Sequence, residues 1–164
     1  MLSSHSTLSG DPICDNAWGG IEDCRKGEWR RGFATLRTIA ASEHATADLP
    51  SLYYAYLGFG LAAFDNKYET GLEICQVGIQ RGSCEPESYV NLARIYLLGN
   101  RRALASAALD SGLEIDPEND GIRRLRAAMG QRRGLVLPFL PRSHALNRIL
   151  GQLRRSVRGE RHRS

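Results

Sequence analysis

The chain has 164 residues, room for one domain or a short repeat array with tails, and 42% of them are hydrophobic, enough for a packed core. No apolar run approaches the ~20 residues of a membrane-spanning helix, and residues 1–10 lack the basic-then-apolar pattern of a secretory leader. The net charge of +4 hides a division: residues 121–164 hold 12 Arg against one acid, Glu160, whereas residues 1–120 hold 10 basic and 17 acidic side chains.

Residues 1–12, rich in Ser, Thr and Gly, read as a disordered lead-in. A thin apolar stripe of Ala17, Gly20, Ile21 and Cys24 predicts a first helix over about 15–25. Gly27-Glu28-Trp29-x2-Gly32-x3-Leu36-x2-Ile39 is a better second helix, and residues 41–49, closed by Pro50, read as a long link. A third helix then carries Leu57, Gly58 and Leu61, and Asp65-Asn66 turns the chain. A fourth carries Gly71-x3-Cys75, Gly78 and Ile79.

The plan then recurs with the most regularity. Glu85-Pro86 opens a fifth helix, over about 87–98, with Tyr89-x2-Leu92-Ala93-x2-Tyr96 at i, i+3, i+4 and i+7 of one face. Gly99-Asn100 turns, and a sixth helix over about 102–115 places Ala105, Ala108, Leu109, Gly112 and Leu113 together before Asp116-Pro117 stops it. Gly71 precedes Ala105 by 34 positions. A seventh helix over about 121–129 offers Ile122, Leu125 and Met129 to cover the open end. Residues 134–141 are apolar and bracketed by Gly134 and Pro141, and the two prolines, Pro138 and Pro141, keep them extended. Ser143 then caps a last helix to about 158, with Leu146, Ile149, Leu150, Leu153 and Val157 as a docking stripe and arginines off it.

Over about 17–117 this pattern resembles the tetratricopeptide-repeat (TPR) superfamily, whose 34-residue unit reads Trp-x2-Leu-Gly-x2-Tyr, Ala-x3-Phe, Pro. The resemblance implies an all-α fold: a TPR-like α-solenoid of about three helix pairs over 13–130 with its capping helix, followed by a basic tail over 131–164 with the C-terminal amphipathic helix. It also implies a concave groove lined by the first helix of each pair, which holds another protein or peptide segment. The groove candidates are Leu52, Tyr56, Phe59, Glu87, Val90, Asn91, Arg94, Leu97 and Leu98, with Ala55, Ala62 and Ala63 beside them and Trp18 in the first pair. Where one branch of the family clamps C-terminal carboxylates with Lys and Arg, this chain has Glu87 and Asn91, so that mode is not expected.

The function expected is therefore an adaptor or chaperone-like scaffold, cytoplasmic and without enzymatic activity or cofactor. The alternative is a peripheral protein at the inner face of a membrane, attached to an anionic surface through 135–158. Nucleic acid is disfavoured, although an Arg-rich surface without interleaved aromatics still attracts it non-specifically; a homodimer stays open. Cys14, Cys24, Cys75 and Cys84 form no metal-ligand spacing and read as reduced thiols, Cys75 in the core. His5, His44, His144 and His162 join no nucleophile–base pattern.

Overall fold

A computed structural model describes residues 11–42, 49–82 and 84–130. Among them the secondary structure is wholly helical: α1 (Pro12–Arg25), α2 (Trp29–Ala41), α3 (Ser51–Phe64), α4 (Tyr68–Arg81), α5 (Pro86–Leu98), α6 (Arg102–Ile115) and α7 (Asp120–Met129). The fifth, sixth and seventh helices lie within one residue of their predicted ends, and α1 starts three residues early for a local reason. Asp11 accepts a hydrogen bond from the Ile13 N–H at 2.9 Å and Pro12 occupies the first turn, so the helix starts there and takes the end of the expected lead-in. Similarly α2 runs through Ala41, which shortens the expected link.

The turns carry the backbone conformations that their residues permit. Gly27 sits at φ +88° between α1 and α2, in the left-handed region that a side chain disfavours. Asn66 and Asn100 sit at φ 55° and 56° in the other two helix-pair turns, a region that asparagine tolerates better than most residues.

Three antiparallel pairs result, α1–α2, α3–α4 and α5–α6, and they join in one consistent way. The odd-numbered helices neighbour one another in sequence, α1 on α3, α3 on α5 and α5 on α7. Each even-numbered helix packs on its own partner and on the odd helix that follows; the even helices do not meet. Small residues set the closeness of the first two pairs. A Cβ added at Gly20 would lie 3.2 Å from the Gly32 carbonyl oxygen, and one at Gly58 only 2.8 Å from the Cys75 nitrogen. In the third pair Ala93 and Ala105, both fully buried, take the corresponding places.

Helix α3 is apolar around most of its circumference, as a helix enclosed by neighbours must be. It supplies Leu52, Tyr53, Tyr56, Leu57 and Leu61 to a core shared with α1 and α2. Its Ala55 and Ala62 belong instead to the core of α4, α5, α6 and α7, where Cys75, Ile95, Leu109 and Ile122 are fully buried. Ile122 of α7 closes that end: a Cβ at Gly112 of α6 would come within 2.6 Å of its Cδ1. The extended segment 134–141, the last helix with Leu146, Ile149, Leu150, Leu153 and Val157, and all four histidines lie outside the described residues. No helix among the described residues is long and apolar enough to cross a membrane.

Candidate functional site

The two-residue turn at Lys26-Gly27 returns the chain sharply, so Trp29, first residue of α2, emerges beside α3 rather than out into solvent. Its ring stacks on Tyr56 at 5.6 Å between centroids and meets Phe59 edge-on at 4.8 Å. Aromatic pairs in these geometries contribute about 0.5–1.5 kcal/mol each beyond the area they bury. Arg94, one helix further along on α5, lays its guanidinium over Trp29 at 5.1 Å and over Phe59 at 5.6 Å. Four residues from three helices thus form one cationic–aromatic stack.

A cavity of about 330 Å³ opens beside that stack. Its lining comes from all four odd helices: Cys24 and Arg25 of α1, Tyr56 of α3, Glu87, Val90, Asn91 and Arg94 of α5, and Asp120, Gly121 and Arg124 of α7, with Trp29 of α2 and with Gly27 and Asn119 from the connections. The wall carries three guanidinium groups against two carboxylates, and those charges are not spent equally.

Glu87 is fully engaged. It accepts from Arg25 Nε at 3.1 Å and Arg25 Nη2 at 2.8 Å, and from the Tyr56 hydroxyl at 3.3 Å. Arg25 also donates to Glu22 at 2.6 Å. Burial works against the Arg25 charge, but the hydrogen bonds to Glu87 and Glu22 outweigh it and raise its pKa above the ordinary guanidinium value. Burial, with the nearby Glu87 charge, pushes the Tyr56 phenol up, so it stays a donor.

Arg94 is placed differently. Burial lowers its pKa from the usual value, and among the described residues no carboxylate lies within ion-pair distance of it. Its one hydrogen bond there runs from Nη1 to Asn91 Oδ1 at 2.9 Å. Asn91 is itself 1% exposed, and its Nδ2 finds no acceptor among the described residues. Leaving such a buried donor unpaired costs about 1–3 kcal/mol, so native structures rarely keep one without a reason. The Cys24 thiol in the same wall is pushed up to about 11 by burial, which leaves it protonated and weakly nucleophilic at neutral pH.

Five of the predicted groove residues, Tyr56, Glu87, Val90, Asn91 and Arg94, are brought together on this cavity, and Phe59 stands behind Arg94. The rest are elsewhere. Leu52 is 2% exposed and, like Ala55 and Ala62, packs in the core, because α3 is enclosed on more sides than the helices flanking it. Leu97 is half-buried against the second core and Leu98 stands 51% exposed at the α5 terminus. Trp18 is partly buried on the first core and does not line the cavity. Sequence reasoning missed Trp29, Arg25 and the α7 contribution. For Trp29 the available signal was a large aromatic at a helix start two residues after Gly27, at the exposed end of the α2 apolar stripe. Among the described residues no cluster of His, Cys, Asp and Glu could hold a metal ion. No protein-family model matches the chain, and no curated protein matches it.

Proposed function

We propose that the chain is a TPR-like α-solenoid whose odd-helix side holds a segment of another polypeptide, making it an adaptor or chaperone-like scaffold. The observation that carries this reading is the cavity itself. It draws its wall from every odd helix, joins an aromatic stack to buried polar groups, and leaves the Asn91 Nδ2 without an acceptor among the described residues. Such a mixture suits a peptide: Trp29 and Tyr56 offer the rigid aromatic surface that dominates binding energy, and Asn91 and Arg94 offer orientation. Helix pairs packed through glycine contacts keep the receptor's side chains in place before binding, which lowers the ordering cost on that side.

The test is selection of random dodecapeptides, displayed between flanking linkers, on the full-length chain. Enriched peptides are expected to lose binding to Gly121→Trp, which fills the cavity from α7, and to keep it with Val77→Glu on exposed α4. Circular dichroism checks that both variants retain their helices. Absence of any enriched peptide, or equal sensitivity to both substitutions, would refute the reading.

A further inference from the structure

The acid and the base that remain in this wall are not equivalent, and the difference says what a ligand must bring. Glu87 already receives three hydrogen bonds from Arg25 and one from Tyr56. Arg94 gives a single N–H to Asn91 and keeps its others unspent among the described residues, while both Asn91 Nδ2 hydrogens face the same shortage of acceptors. Donors are therefore in excess at one spot, and one of them is a half-buried cation lying over Trp29 and Phe59. An acceptor-only group with a negative charge is the chemistry that answers both, and a carboxylate matches the fork of a guanidinium.

We infer that the polypeptide segment held in the cavity presents an aspartate or glutamate side chain, whose carboxylate sits on the Arg94 guanidinium and the Asn91 amide. This rests on the polypeptide-binding reading above and names what that site selects. The segment comes from a different molecule: residues 131–164 of this chain hold nine arginines and a single acid, Glu160, the wrong charge for the seat. On the α7 side of the same wall Asp120 would repel an acid that Arg124 attracts, so that side offers no net charge and the acid is placed toward α5.

The experiment extends the same display selection. Sequences enriched on the native chain are expected to share an Asp or Glu at one fixed position. Changing that residue to Asn or Gln in a fluorescent copy of the best peptide should weaken binding at least tenfold on the native chain and less than twofold on Arg94→Gln. The Asn91 side-chain amide resonances should move with the acidic peptide and not with its amide counterpart. Arg94→Lys, which keeps the charge and most of the stem, replaces Arg94→Gln if the latter loses helicity; it is expected to bind the acidic peptide several-fold more weakly, since the fork is gone. Peptides that Gly121→Trp blocks but that carry no fixed acid, or an acid whose loss costs as much on Arg94→Gln, would overturn this inference and leave the binding reading standing. Binding seen only with a free peptide C-terminus would overturn it too, by assigning the seat to a terminal carboxylate. A selection with no cavity-dependent peptide at all would take the binding reading down as well.

Discussion

Replacing Gly58 with alanine tests the claim that glycine contact sets the spacing of the central pair. The added Cβ would lie 2.8 Å from the Cys75 nitrogen and 3.0 Å from its Cβ, and would overlap the Gly71 carbonyl oxygen. Two of the three obstacles are backbone atoms of α4, so no rotamer change relieves them and the helix must move as a body. Overpacking of this kind costs about 1–3 kcal/mol, with the upper end appropriate to a backbone clash. Helix propensity returns roughly 1 kcal/mol, because alanine is the better helix former. The net expectation is a loss of about 2 kcal/mol. Gly19→Ala in α1 supplies the control: its Cβ would meet nothing within 4 Å, so only the propensity gain of roughly 1 kcal/mol remains. Urea unfolding followed by helical circular dichroism should place the two variants on opposite sides of the native midpoint, about 3 kcal/mol apart, with little change in slope. A Gly58→Ala midpoint equal to or above the native one would refute the reasoning.

Gly112 should behave more gently than Gly58, since its nearest obstacle is the side-chain tip of Ile122 at 2.6 Å rather than backbone, with the Tyr89 Cβ at 3.2 Å. Alanine there is expected to cost within about 1 kcal/mol, and leucine about 1–3 kcal/mol by displacing α7 as well as crowding α5; equal midpoints in the same urea assay would contradict the packing of α7. Among the thiols, exposed Cys84 should react at once with a disulfide reagent, whereas buried Cys14, Cys24 and Cys75 should wait for unfolding. Three fast thiols in the native protein would contradict the burial. Burial also raises Cys24 from 9.0 to about 11 and Cys75 to about 12. The unfolded chain therefore releases these protons first, and stability should fall as pH rises from about 9 toward 11–12; a urea midpoint that rose over that window would give the wrong sign. The Arg25–Glu87 pair is about one-third exposed on each side, so its coupling in a double-mutant cycle should not exceed about 1 kcal/mol and should shrink with added salt.

Periodicity together with turn and stop signals located the helices. The 34-residue spacing from Gly71 to Ala105, the asparagine turns at 66 and 100 and the stop at Asp116-Pro117 are local signals, and local hydrogen bonding and steric limits decide their outcome. Cys75 in the core and Ile122 as the closing residue follow from the same pattern of apolar places. The start of α1 was legible too, in Asp11-Pro12, but was outweighed by a weak apolar stripe.

The site divides along the same line. Tyr56, Glu87, Val90, Asn91 and Arg94 could be named because a helix's outward face follows from its inward one. Leu52, on that same face of α3, went to the core because α1, α2, α4 and α5 all surround this helix, and how many neighbours a helix has is not written in its own residues. Trp29 reached the cavity through a φ of +88° at Gly27, and Arg25 neutralised Glu87 from 62 positions away. Sequence determined which faces are apolar, since that depends on spacing along one helix. Which charge is paired and which is left for a ligand was decided only by tertiary structure, because ion pairing depends on distances between helices that no single helix contains.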